Sequence, residues 1–268
     1  IMYQNQPTEQ EVAAEKAKKE QVDKKTAEVQ TEITPTASAD TAQADSTQLA
    51  QFRGSLGNFA YSATLPSAKN NFTTIENDVL SLKIANKGGY IVDATLKKFE
   101  QFAKGSGSLV KIIKENNASL NLKLQTKDNR TLDTKNLYFE PTLTKEGENQ
   151  VLTMRLKSSA NSFMEYRYVL KPNEYMLDFS IRSQGMNNVL NSSNPLTLEW
   201  DLKTYRNEKS VTYENRYAEI VYEYEEGKDS YTSQSDLTTD DAEDVTYIAY
   251  KQHFFTSILL TDTPFATA

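Results

Sequence analysis

The chain has 268 residues, 38 % of them hydrophobic, a mean hydropathy of −0.65, and 30 Lys plus Arg against 37 Asp plus Glu, for a net charge of −7. Such an acidic chain lacks the basic surface that phosphate contacts need, which argues against a nucleic-acid partner. The absence of cysteine excludes disulfides, thiolate metal sites and a cysteine nucleophile, and a single histidine, His253, excludes any site built from two imidazoles of one chain.

No stretch approaches the roughly 20 apolar residues of a membrane span. The opening Ile1-Met2-Tyr3 nevertheless switches abruptly to Gln4-Asn5-Gln6-Pro7. That switch suits the last turn of a transmembrane helix leaving the bilayer, so the chain reads as a piece of a larger protein. Residues 8 to about 50 are dominated by Ala, Glu, Lys, Gln and Thr, with no aromatic residue between Tyr3 and Phe52. From Glu11 to Gln30 the large apolar positions are Val12, Val22 and Val29, which do not repeat at helical spacing and leave no face to bury. The expectation for 1–70 is therefore a polar, flexible or partly helical linker following a transmembrane helix. A coiled-coil partner is disfavoured because the heptad seam is missing.

From about Phe72 the pattern changes to period two. Leu80, Leu82 and Ile84 share a face, Gly88-Gly89 supplies a turn, and Tyr90 to Leu96 resumes extended structure. Alternation recurs at Leu120, Leu122, Leu124, at Leu152, Met154, Leu156, and at Met164, Tyr166, Tyr168, Leu170. Pro172-Asn173 then turns the chain into Tyr175, Leu177, Phe179 and Ile181. Leu196, Leu198, Trp200 and Leu202 form the next strand, and further extended pieces run over 218–224, 245–250 and 254–260. One apolar and one polar face per strand, with no useful amphipathic helix between, predicts a mainly β fold over 71–268: a large antiparallel β-sandwich.

Four features invite chemistry. Asp236, Asp240, Asp241, Glu243 and Asp244 form an acidic cluster, but the spacing lacks the alternating Asp/Asn pattern with central glycine of a calcium loop and reads as a solvated loop. Tyr213, Tyr217, Tyr222, Tyr224 and Tyr231 are interleaved with Glu214, Glu219, Glu223 and Glu225, as in sugar sites. Alternation instead puts Tyr222 and Tyr224 on one face and Glu223 and Glu225 on the other, the arrangement of a half-buried strand. His253 is too far along an extended strand from Ser257 to activate it and reads as a structural histidine satisfied by a backbone carbonyl. Gly105-Ser106-Gly107 lacks the rest of a phosphate loop and reads as a hairpin loop. No pattern implies a cofactor, a metal or a catalytic residue.

Two segments resemble one family. Thr74-Ile75-Glu76-Asn77-Asp78-Val79-Leu80, leading through Lys83-Ile84 to Gly88-Gly89-Tyr90-Ile91, resembles the opening of the periplasmic domain of YidC-type membrane-protein insertases, of the kind found in Bacteroidetes. Tyr247-Ile248-Ala249-Tyr250-Lys251-Gln252-His253-Phe254-Phe255 is similar to a second stretch of that family, departing at Tyr247, where tryptophan is commoner. The resemblance marks Gly88, Gly89, Tyr247, Ala249, Gln252, His253 and Phe255 as structural motif residues. It implies a twisted super-sandwich, similar in architecture to galactose mutarotases, on the periplasmic side of the inner membrane. It also implies flanking transmembrane helices, and partners among Sec accessory subunits and nascent membrane proteins. The mutarotase likeness is one of fold only. The function implied by the resemblance is that of a non-enzymatic docking or chaperone-like module; the alternative is a carbohydrate-binding or sugar-modifying β-sandwich.

Overall fold

Period-two alternation with turn residues between the runs is realised as antiparallel hairpins. A computed structural model describes residues 46–102, 105, 107–193, 195–233 and 239–268. The stretch from Glu11 to Gln30, and with it the coiled-coil question, lies outside the described residues. The first elements among the described residues are a helix α1 (Ser46–Leu56), a 3-10 turn (Gly57–Phe59) and a short helix α2 (Ala60–Ala63). Strands β1 (Phe72–Glu76), β2 (Leu80–Ala85), β3 (Ile91–Glu100) and β4 (Leu109–Ile113) form one sheet in sequential order. Strands β5 (Ala118–Gln125) and β6 (Thr131–Asp133) pair with each other, and β11 (Thr197–Leu202) returns to the far side of β5. Strands β7 (Glu140–Glu146), β8 (Asn149–Lys157), β9 (Phe163–Leu170) and β10 (Leu177–Gln184) form another sequential sheet. After helix α3 (Val211–Arg216), strands β12 (Glu219–Tyr224), β13 (Lys228–Ser233), β14 (Glu243–Lys251) and β15 (Thr256–Thr267) make the last sheet, ordered β13-β12-β14-β15. The chain is thus mainly β, and all strand pairings among the described residues are antiparallel, consistent with the expected sandwich.

The inner faces converge on one core. Leu80, Leu82 and Ile84, Leu122 and Leu124, and Leu152, Met154, Leu156, Met164, Tyr166, Tyr168 and Leu170 all belong to one buried cluster. All are residues of the alternating runs. Within the stretch read from composition as linker, however, Phe59, Ala60 and Leu65 are buried. The Lys157 amide donates to Ser62 Oγ at 2.7 Å and Arg130 Nη2 donates to the Gly54 carbonyl, so residues 54–65 are fastened to the sheets. A single aromatic anchor with two side-chain clamps leaves no periodic trace, which is why composition alone passes over it.

Candidate docking groove and the motif residues

The two glycines of the first motif sit where only glycine is comfortable. Gly88 and Gly89 have φ of +86° and +68°, and a Cβ on Gly89 would stand 3.0 Å from the Phe139 ring. This close approach lets the Gly88 N–H donate to the Leu137 carbonyl and the Gly89 carbonyl accept from the buried Tyr168 hydroxyl at 2.7 Å. Asn77 acts similarly a few residues earlier. Its Oδ1 accepts from the amides of Val79 and Leu80, while its Nδ2 donates to the carbonyls of Lys171 and Glu174. The first sheet is thereby pinned to the turn that precedes β10.

That turn forms one rim of an apolar groove of about 480 Å³, a size typical of binding pockets. Leu80, Leu82, Ile91, Ala94 and Leu96 of β2 and β3 line it together with Ile112 and Ile113 at the end of β4. Tyr168 and Phe179 contribute from β9 and β10, Ser119 and Leu120 from β5, and Trp200 from β11. The hairpin of β14 and β15 contributes Phe254, Phe255 and Leu259. Aromatic rings bridge the rims: Phe99 lies 6.3 Å from Tyr175 and 5.5 Å, edge-on, from Phe255. Trp200 is fixed by an edge-on contact with Tyr250, whose hydroxyl donates to the Trp200 carbonyl. Phe254 is 68 % and Met176 51 % exposed. The lining holds no Asp, Glu, His, Lys or Arg.

The second motif builds the tip of the β14–β15 hairpin. The Gln252 amide donates to the Phe255 carbonyl and closes the turn. The Gln252 side chain, buried, donates to the Tyr205 carbonyl at 2.8 Å and to Glu214 Oε1 at 3.2 Å. Glu214, buried on α3, also accepts from the amides of Asn207 and Glu208, so its charge is met by three donors. His253 departs from expectation in its partner. Its Nδ1 lies 3.0 Å from both carboxylate oxygens of Glu208, not against a backbone carbonyl. Its ring is stacked between Tyr217, at 4.4 Å, and Phe254, at 4.1 Å. Ala249 is buried, with Val221 and Ile258 as its partners on the neighbouring strands. The Tyr247 hydroxyl donates to Asp229 at 2.9 Å. Gln252, His253 and Phe255 are thus brought together, while Gly88 and Gly89 lie elsewhere. Both segments reach the groove, the first through Leu80, Tyr90 and Ile91, the second through Phe254 and Phe255.

The other candidates are spread apart. Asp240 accepts from Tyr222 and Thr232, Glu243 pairs within the β14–β15 ladder, and Asp236 lies outside the described residues. No group of three or more metal-ligating side chains occurs among the described residues. Tyr222 and Tyr224 do share a face, with rings 5.7 Å apart. The interleaved carboxylates are engaged with their own partners, Glu219 with Lys251, Glu223 with Thr246 and Glu225 with Lys228. They do not converge on one substrate.

One carboxylate that alternation alone would turn to solvent is buried. Glu165, between Met164 and Tyr166, is held between β8 and β10 by Arg155 Nε at 2.7 Å and Arg182 Nε at 2.6 Å. Burial would raise its pKa, but the two arginine hydrogen bonds and charges outweigh burial and hold it below the ordinary carboxylate value.

Residues 73–268 match the family model described as the YidC periplasmic domain. The chain is 32 % identical to the membrane protein insertase YidC of Parabacteroides distasonis over 197 residues, which cover 73 % of this chain and 30 % of that protein. Against the YidC of Bacteroides fragilis the identity is 32 % over 207 residues, 76 % of this chain and 32 % of the relative. Against that of Cytophaga hutchinsonii it is 27 % over 210 residues, 78 % and 33 %. The matched region therefore spans about a third of the length of these relatives. No helix among the described residues is long and apolar enough to cross a membrane.

Proposed function

The chain belongs to the YidC periplasmic-domain family, and from that premise we propose that it is the extracytoplasmic docking and chaperone-like module of a membrane-protein insertase, without chemistry of its own. In this reading transmembrane segments outside the chain hold the module on the periplasmic face of the bacterial inner membrane. Its partners are Sec accessory subunits and nascent membrane proteins, met at open sheet edges or apolar surface. The lining of the groove carries the non-catalytic part of the reading. Acid–base catalysis is commonly carried by carboxylate, imidazole or amine groups poised in the cavity, and the lining of this groove holds none of them. The tyrosine-rich strands offer a sugar-modifying enzyme no paired carboxylates, since those carboxylates are committed to lysine and threonine partners.

Deleting residues 46–268 from the full-length insertase tests the reading. Insertion of a Sec-independent substrate should persist, and the yield of Sec subunits co-purified with the insertase should fall. Complete loss of insertion, with the truncated protein present in the membrane at normal level, would contradict it.

A further inference from the structure

The chain as a whole is acidic, with a net charge of −7, yet one end of the fold is basic. Residues 203–216, the loop after β11 together with α3, hold Lys203, Arg206, Lys209 and Arg216 against Glu208 and Glu214. Both carboxylates are met from within, Glu208 by His253 and the buried Glu214 by Gln252 and two backbone amides. The cations are not. None of these four, nor Lys114 just past β4, forms an ion pair among the described residues. Arg206 donates to the carbonyls of Glu208 and Lys209, which leave its charge unneutralised. Glu115, beside Lys114, accepts from the Tyr205 hydroxyl at 3.3 Å. Three of the cations are seated on aromatic rings: Arg206 lies 4.6 Å from the centre of Phe102, Lys114 4.5 Å from Tyr205 and Arg216 5.2 Å from Tyr213. The pieces are tied into one surface. The Phe102 amide donates to the Asn207 carbonyl at 3.3 Å and the Lys203 amide to the Asn117 carbonyl at 2.7 Å, while His253 joins Tyr217 to the exposed Phe254. Phe102, Val211, Tyr213 and Tyr217 are 47 %, 44 %, 54 % and 37 % exposed.

We propose that this end is a bilayer-contacting surface that binds anionic phospholipid headgroups. Arg206, Arg216 and the lysines beside them meet the phosphates, while Tyr213, Tyr217 and Phe254 enter the interfacial layer. Exposed aromatic rings among unpaired cations are the chemistry of that layer: amphipathic rings settle at headgroup depth and basic side chains are drawn to anionic lipid. The geometry favours a bilayer over an acidic polypeptide. The exposed rings stand on separate short elements, namely the turn after β3, the six-residue α3 and the tip of the β14–β15 hairpin. A fluid, planar partner of one charge can meet all three at once without a matched shape. The proposal takes from the docking reading only that a membrane is within reach, and it assigns this end to lipid instead of to polypeptide partners.

The test is flotation of the 268-residue chain with vesicles of phosphatidylcholine alone or with about 30 % phosphatidylglycerol, over a salt series. The unmodified chain should bind the anionic vesicles only, and less as salt rises; no binding, or equal binding to neutral vesicles, overturns the proposal. That arm needs no substitution. Arg206→Gln, Lys209→Gln and Arg216→Gln together should weaken binding at least about tenfold. Lys69→Gln, Lys127→Gln and Lys145→Gln together remove the same charge from exposed positions elsewhere and should weaken it less than about twofold. Equal losses in the two sets, each with unchanged circular dichroism, overturn the proposal in favour of a general charge effect. Tyr213→Ser with Phe254→Ser alters no charge and should also weaken binding, at least about threefold. Tighter binding to poly-glutamate than to anionic vesicles overturns the proposal and assigns the surface to an acidic polypeptide. The vesicles carry no Sec subunits or substrates, so failure here leaves the deletion experiment to judge the docking reading separately.

Discussion

At the scale of single residues, the core separates two tyrosines that alternation treats as equals. Tyr168 donates its hydroxyl to the Gly89 carbonyl, whereas the buried Tyr166 hydroxyl makes no well-formed hydrogen bond. Burial pushes the Tyr166 phenol up to about 12, against a smaller opposing pull from the Thr134 hydroxyl. Tyr166→Phe should be neutral or stabilising, while Tyr168→Phe should cost about 1–2 kcal/mol in urea unfolding, because it orphans a buried carbonyl. Equal losses in the two variants would show that the hydroxyls are equivalent. Glu165 gives a pH dependence. Its folded-state pKa is depressed, so its contribution is complete above the ordinary carboxylate pKa and is lost as pH falls through the depressed value. Glu165→Gln should therefore destabilise by about 3 kcal/mol at neutral pH, and the gap from wild type should shrink in acid below about pH 4. A gap that stays constant with pH would mean that packing, not charge, is lost. Sequence could not place this group, because its partners Arg155 and Arg182 come from the strands on either side. The same holds for His253 and Glu208, which are 45 positions apart.

At the scale of elements, strands with one apolar face were legible, whereas the polar edge strands β7 and β13 were not. Strands β2, β5, β8 and β9 carry apolar residues on alternate positions because those side chains enter the core. Strand β7 is nearly all exposed, and β13, Lys-Asp-Ser-Tyr-Thr-Ser, is as polar; both are held chiefly by backbone pairing to one neighbour, which leaves little pattern in side chains. Turns were legible where glycine is demanded, though not how strongly. Gly89 and Gly147 both have positive φ, but a Cβ would meet the Phe139 ring at the first and open space at the second. Gly147→Ala should cost about 1 kcal/mol from backbone strain alone, and Gly89→Ala at least about 2 kcal/mol more, by thermal or urea unfolding. Similar losses at the two sites would mean that the Phe139 ring yields to the methyl group, and that the Gly-Gly motif reflects backbone conformation only.

At the scale of the whole molecule, the antiparallel β character followed from the strand rhythm, and the family followed from two short motifs. The groove could not be read in this way, since its walls come from four sheets and no one segment announces it. The chain order of those sheets has a consequence in time. Strands β1 to β4 and β7 to β10 pair with their successive neighbours, so each set can close as soon as its own residues are available. Strand β5 is different, because its second neighbour β11 lies far ahead: Asn121 and Glu199, which are joined by a hydrogen bond across that ladder, are 78 positions apart. At ribosomal speeds of about 5–20 residues per second, those 78 positions take roughly 4–16 s to make. For that interval β5 presents a free flank to whatever extended chain is nearby, and the newborn domain is a client for strand pairing before it is anything else.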